Sequence, residues 1–389
     1  MWEHLDSVGA MRGIRRFAGL VAATLITCAV VAGCGGSSSS PSNSPTQPPS
    51  TPPTTTQLAQ ERWESMDIEE QAASLLMLYY PGTDAGATAE FVREIQPGGL
   101  VLMGDNIPAD EATLADSIES WNAEAAHPLL IGIDEEGGTV TRLPSDTFPA
   151  APQLRDGAPA NTRAAFTDRG QLLHDLGITV NFGVIADVTD DPGSFIWPRV
   201  LGSTPEAASE NVAAAVEGEG GSVSSTLKHF PGHGLAAGDS HISIPTSDIA
   251  LDEWRESAAP PFAAGIDAGA EFVMIGHLRF PEVSDQPASL SPEWHKILRD
   301  ELGFDGIVIT DSMSMLLDSG EPQYADPVQN AVDSLAAGST MVLMVAPGTT
   351  ENAHALVDGI ASAVQSGEID QDTFDSAGIL LMEQRLELE

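Results

Sequence analysis

Eight short apolar runs, rich in Val, Ile, Leu and Met, recur along the chain and constrain its fold more than any other feature. They cover residues 75–80, 99–103, 129–134, 178–184, 222–229, 272–277, 306–311 and 341–345. A short run without in-and-out alternation is the pattern of a strand buried on both faces. Between the runs lie amphipathic segments rich in Ala, Glu and Asp, among them 109–125, 205–216, 251–268, 292–302 and 326–337. Buried strands alternating with helices predict an α/β fold with a parallel sheet, and eight repeats over this length predict a closed TIM-type (β/α)8 barrel as one domain. An open doubly wound sheet is the structural alternative. No GxGxxG follows any run and no P-loop string occurs, so nucleotide binding has no positive support.

Four of the runs end in polar residues. The third ends at Asp134, before Glu135-Glu136-Gly137-Gly138 and Arg142; the fifth at Lys228-His229; the sixth at His277; the seventh at Asp311. One such end is a strand meeting solvent. Four on the same side of a barrel describe the rim where barrel enzymes keep their sites. The densest stretch is Lys228-His229-Phe230-Pro231-Gly232-His233-Gly234 with Asp239-Ser240-His241, which holds three of the chain's nine histidines and one of its two lysines. Its Gly and Pro residues exclude regular structure. His229, His233, Asp239 and His241 include an H-x3-H spacing that binds zinc on a helix. Pro231, Gly232 and Gly234 oppose a helix there, so no metal is expected, and nothing calls for another cofactor.

Residues 1–34 read as an export segment. Arg12, Arg15 and Arg16 precede an apolar run from Phe17 to Ala32, too short and wrongly flanked for a membrane span. Val31-Ala32-Gly33-Cys34 at its end resembles a bacterial lipoprotein box, with lipidation expected on Cys34. The only other cysteine, Cys28, lies in the segment to be removed, which leaves no disulfide and no catalytic thiol. Residues 35–57, uncharged and made of Ser, Pro, Thr, Gly and similar residues, read as a solvated linker. The barrel domain is then 58–389. The whole chain carries a formal charge of −41, and three arginines against Glu3 and Asp6 in the export segment leave −42 on the remainder. Such a charge excludes nucleic acid and electrostatic attraction to anionic lipid. The expected location is the outer face of the cell membrane, held by the lipid on Cys34, as a monomer.

The strings Lys228 to Gly234 with Asp239-Ser240-His241, Ile133 to Gly138 with Arg142, and Ile309-Thr310-Asp311-Ser312-Met313 resemble glycoside hydrolase family 3, and within it the single-domain β-N-acetylhexosaminidases of the NagZ type. The resemblance covers about residues 65–385. It implies a TIM-like barrel and retaining hydrolysis of terminal β-linked N-acetylglucosamine without a metal. It further implies that Asp134, Arg142, Arg199, Lys228 and His229 hold the sugar, that Asp311 is the nucleophile, and that His241, paired with Asp239, is the acid/base. The residues fit these roles: Asp311 ends a buried strand, although Asp-Ser is also a helix-capping signal. Asp239 and His241, two apart in an extended segment, point the same way, so the carboxylate can hold and polarise the imidazole. His233 and His277 read as residues that shape the loops. Cell-wall (peptidoglycan-derived) fragments are the expected substrate. Phosphorolysis stays open, because a neutral histidine after proton donation would not repel phosphate. β-Glucosidase activity is a second alternative, though those relatives usually carry an added sandwich domain, whereas this chain closes on one helix at 372–388. A non-catalytic sugar-binding lipoprotein is an alternative of another class.

Overall fold

The computed structural model describes residues 53–388. The expected export segment, Cys34 and the linker as far as residue 52 lie outside the described residues. The eight apolar runs form eight parallel strands: β1 (Leu76–Leu78), β2 (Gly99–Leu102), β3 (Leu130–Ile133), β4 (Val180–Ile185), β5 (Ser224–Phe230), β6 (Phe272–Ile275), β7 (Ile307–Thr310) and β8 (Val342–Met344). They pair in chain order, β8 lies against β1, and a parallel bridge between Ile309 and Met341 closes the ring. The fold is therefore the TIM-type (β/α)8 barrel and not the open sheet. Every residue of these eight strands except Ser224 is buried, which is why the runs show no alternation.

Local departures from the sequence expectation have local causes. Segment 251–268 is two helices, Leu251–Ser257 and Ala259–Asp267. Pro260 and Pro261 lack the amides that would continue the first helix but suit the opening turn of the second. Segment 292–302 starts as the helix Pro292–Lys296 and widens into a π turn over Ile297–Glu301. The first helix, Thr55–Ser65, begins inside the stretch read as linker. There the Thr54 hydroxyl accepts the Gln57 amide while the Gln57 side chain accepts the Thr54 amide, a reciprocal cap.

The strand that carries most of the site is anchored from behind by aromatic rings. Phe230, the last residue of β5, meets Phe262, Trp294 and Trp254 edge to face at centroid distances of 5.4, 5.8 and 5.9 Å. Trp254 also donates its indole N–H to the Pro231 carbonyl at 2.7 Å. A buried aromatic contributes both area and fixed geometry. Changes in this box would therefore move Lys228 and His229.

The first helix packs on the last, Gln371–Leu386. Trp63 is buried there between Phe374 and Gly378, with its indole N–H on Asp375 at 2.8 Å. A Cβ at Gly378 would lie 2.2 Å from the Trp63 ring. Alanine normally stabilises a helix interior over glycine by about 1 kcal/mol, but overpacking a ring that cannot move costs ~1–3 kcal/mol. Gly378→Ala should therefore lower the thermal midpoint, and a raised midpoint would show that the ring yields.

Candidate active site

Close approach shapes the Lys228–Gly234 turn. Gly232 adopts φ +132°, and a Cβ at Gly234 would fall 1.9 Å from the Val188 carbonyl oxygen, so only glycine permits the chain to fold back against the end of β4. The peptide bonds Lys228–His229 and Phe230–Pro231 are both cis. Asp187, buried just beyond β4, clamps this turn. Its carboxylate accepts the His229 amide at 3.2 Å, the His229 Nδ1–H at 2.7 Å and the His233 amide at 2.5 Å.

The loop after β3 meets β5 in a network of buried charges. The Lys228 ammonium, 2 % exposed, lies 2.6 Å from Asp134 Oδ1 and 2.8 Å from Glu136 Oε1. Arg199 forks onto Glu136 through Nε at 2.8 Å and Nη2 at 2.7 Å, and Nη2 also donates to His229 Nε2 at 3.2 Å. Arg142 Nη2 reaches Asp134 Oδ2 at 3.4 Å. Burial alone would raise the pKa of Asp134, yet Lys228 and Arg142 outweigh it and hold the carboxyl at about 2. For Lys228 the balance is the mirror image: burial opposes its charge, and Asp134 with Glu136 raises its pKa above the ordinary value.

Asp311 follows β7 directly, and its carboxylate accepts the Ser312 amide at 2.8 Å. Burial pushes its pKa up, and the His229 and His277 imidazoles, the Ser312 amide and Lys228 push it below the ordinary value, so it stands ionised. His277, also buried, donates Nε2–H to the Ser312 carbonyl at 2.9 Å and accepts from Ser289 Oγ at 2.7 Å. Burial lowers its pKa, and its Nε2 holds the Asp311–Ser312 turn while Ser289 fixes the ring through Nδ1.

Asp239 and His241 do meet, but within a turn rather than along an extended stretch. Asp239 Oδ1 accepts the His241 amide at 2.9 Å and its Nδ1–H at 2.7 Å, which leaves Nε2 free. This pair is far more open than the rest, with the His241 side chain 59 % exposed. Between them Ser240 is buried and bonded to His233 Nε2 at 3.1 Å.

These residues share one cavity of about 480 Å³ at the C-terminal mouth of the barrel. Its lining includes Asp134, Arg142, Arg199, Lys228, His229, His241 and Asp311, with Asp239 behind His241. Every sequence-predicted site residue among the described residues is thus brought together there. A larger cavity, about 720 Å³, opens at the opposite end around Leu129, Thr179, Ser224 and Glu271, where barrel folds do not keep catalytic groups. The histidine set of the zinc alternative is otherwise engaged, with His229 on Asp187 and Arg199 and His233 on Ser240.

Residues 67–380 match the family described as glycosyl hydrolase family 3 N terminal domain. The chain belongs to glycosyl hydrolase family 3. It is 32 % identical over 286 residues to a beta-hexosaminidase of Methylobacillus flagellatus, a match spanning 69 % of this chain and 79 % of the relative. Its fold is similar to that of M. tuberculosis LpqI (TM-score 0.75, 29 % identity, 83 % of this chain and 95 % of that one). It is also similar to a beta-N-acetylhexosaminidase from Beutenbergia cavernae (TM-score 0.73, 27 % identity, 82 % of this chain and 98 % of that one). As a member of this family the protein is a glycoside hydrolase.

Three contributors to the site escape the sequence reading. Asp187 carries the signal used elsewhere, a polar residue ending an apolar run, but the fourth run was cut at residue 184 while the strand reaches Ile185. Glu136 stands inside a motif but shows its role only through Lys228 and Arg199. Phe195, exposed at the mouth, has no sequence signal at all.

Beneath the family 3 site, Asn181 of β4 links the β3 loop to the barrel wall. It exchanges hydrogen bonds with the Glu135 backbone and donates to Glu219 Oε1 at 2.6 Å, while Ser225 Oγ donates to Glu219 Oε2 at 2.8 Å. Burial lifts the Glu219 pKa from 4.5 to about 7. The fold thus binds this proton more tightly than the unfolded chain does. The associated stability is complete below pH ~4.5 and is lost as pH rises toward 7, an effect on the order of 3 kcal/mol. Glu219→Gln should therefore unfold later than the wild type at pH 8 and alongside it at pH 4.5. A difference that does not grow with pH would mean that the fold does not raise the Glu219 pKa.

Proposed function

We propose that the protein is a retaining β-N-acetylhexosaminidase that removes terminal β-linked N-acetylglucosamine through a covalent glycosyl-enzyme. The observation that carries this reading is the division of one cavity into a half-buried, ionised Asp311 and an exposed His241 whose Nδ1 is tied to Asp239. The hexosaminidase names of the relatives add the N-acetyl sugar.

In the first step the Asp311 carboxylate attacks the anomeric carbon while the glycosidic C–O bond breaks. His241 gives its Nε2 proton to the departing oxygen. In the second step water attacks the same carbon, His241 Nε2 takes the water proton, and Asp311 leaves as carboxylate. Asp239 supports both steps. Its pKa is raised by burial but lowered further by the His241 amide and ring, so it remains a carboxylate facing the imidazole in either state. Lys228, Arg142 and Arg199 present donors to sugar hydroxyls, each charge-assisted bond contributing roughly 1.5–3 kcal/mol. Asp134 and His229 complete that polar pocket.

Cell-wall fragments released outside the cell fit the export features of the sequence, and lipidation of Cys34 is proposed as the anchor. No helix among the described residues is long and apolar enough to cross a membrane. Cys34→Ala in the full chain should move the protein from the membrane fraction to the soluble fraction, and retention in the membrane would end the lipid-anchor reading.

For the chemistry, the domain from residue 53 should release p-nitrophenol from the β-N-acetylglucosaminide faster than from the β-glucoside. Asp311→Ala should remove this activity and His241→Ala should lower it by roughly 10²–10⁴-fold. Full activity in Asp311→Ala would refute the assigned nucleophile. An inert wild type would leave sugar binding without catalysis as the reading to pursue.

A further inference from the structure

Among the described residues only four large apolar side chains are exposed, Leu58, Phe195, Ile242 and Leu388, and two of them stand beside His241. Ile242 is its neighbour in the chain. Phe195 comes from the loop after β4, some 46 residues away, and its ring packs against the His241 ring at 5.7 Å and the His233 ring at 5.4 Å between centroids. A single exposed apolar residue is ordinary and asks for no explanation. Phe195 differs in that it also lines the cavity while 38 % of it stays exposed.

The loop that presents this ring is built to hold it still. Asp191 Oδ1 accepts the Gly193 amide at 2.8 Å, and successive turns bond Ser194 to Asp191, Trp197 to Ser194 and Arg199 to Ile196 at 2.9 to 3.1 Å. Ile196, next to Phe195, is fully buried against Ile185 and Val200. On the far side the Arg155 guanidinium lies 3.8 Å from the centre of the Trp197 ring, with its Nε on the Val200 carbonyl at 3.1 Å. An aromatic held in place loses little conformational freedom when a ligand covers it, which is what makes such a ring an effective binding platform.

Its position says what would cover it. The charged pocket of Asp134, Lys228, Arg142 and Arg199 takes the sugar that is cleaved off. His241, which protonates the departing oxygen, marks the border between that sugar and the group it leaves. A ring touching His241 on the open side therefore borders the leaving group. We propose that Phe195 is a specificity-determining residue, a platform on which the apolar face of a leaving pyranose ring stacks, so that disaccharides and longer β-linked chains are preferred over glycosides with small alkyl leaving groups. This rests on the reading of the site as a β-N-acetylhexosaminidase.

The test compares N,N′-diacetylchitobiose with methyl β-N-acetylglucosaminide. Both have alkoxide leaving groups that need the same proton from His241, and only the first brings a second ring. In Phe195→Ala the ratio of kcat/KM values, disaccharide over methyl glycoside, should fall about tenfold, and Phe195→Trp should keep it within about threefold of the wild type. A parallel fall of both substrates would show that Phe195 acts by steadying His241, and an unchanged ratio would show that the ring touches no leaving group. Either result overturns this inference and leaves the assigned activity standing. A wild type inactive on both substrates would instead remove the hexosaminidase reading and this one with it.

Discussion

The ion pairs around Lys228 are the constraint on which the rest of the site depends. A buried ammonium with no partner is costly, and removing one member of a buried pair typically destabilises by about 3–5 kcal/mol. Here Lys228 lies between Asp134 and Glu136, Glu136 is shared with Arg199, and Asp134 with Arg142. With Asp311 and Asp318, the cavity lining holds four carboxylates against the three permanent cations Lys228, Arg142 and Arg199. That balance matters for the chemistry. Burial alone would raise the pKa of Asp311, and a protonated carboxyl could not serve as the proposed nucleophile. His229, with His277, the Ser312 amide and Lys228, holds its pKa below the ordinary value against burial.

The site also divides its parts by how firmly they are held. Asp311, Lys228 and His229 sit on or directly after barrel strands, with aromatic rings and Asp187 behind them. The proposed acid/base pair, His241 with Asp239, instead rides on the loop between β5 and the helix at Leu251. Around the pair its ties are an Ala237–Thr246 bridge, Ser240 on His233, Ser243 Oγ on the Asp239 carbonyl and the Phe195 ring on His241, while the far end of the loop is bonded to Arg279 through Pro245, Thr246 and Ser247. Segments with few buried apolar contacts open at low cost. The proposed donor His241 thus stands on a more exposed segment than the proposed nucleophile Asp311, which follows a barrel strand directly.

How much of this was legible depends on the range over which each feature is encoded. The strands were readable because burial on both faces writes itself into consecutive residues. Their polar ends were readable because Asp134, Lys228, His229 and Asp311 follow directly in the chain. The helix break at Pro260 follows from local chemistry and was available to a closer reading. The buried Glu219 was not: its partners Asn181 and Ser225 come from two strands, and an isolated Glu at a helix end looks like any solvated one. Arg199 lay between, since its presence in the chain was visible but its fork onto Glu136, 63 positions away, arises only when the β3 and β4 loops meet.

The strong acidity has a structural side of the same kind. Of the chain's 16 Lys and Arg residues, 13 fall among the described residues. Only Arg93, Arg163, Arg255 and Lys296 are exposed, and each is in an ion pair with a carboxylate. The others are buried or half-buried, and several hold backbone carbonyls, as Arg385 does at Pro128 and His127, Arg299 at Phe304 and Gly306, and Arg155 at Val200 and Trp197. The fold therefore spends its few cations on cementing loops and lining the cavity, which leaves the outer surface to Asp and Glu. An anionic surface repels polyanions at long range. Uncharged sugars approach such a mouth without that barrier, so the surface charge and the polar pocket favour the same class of ligand.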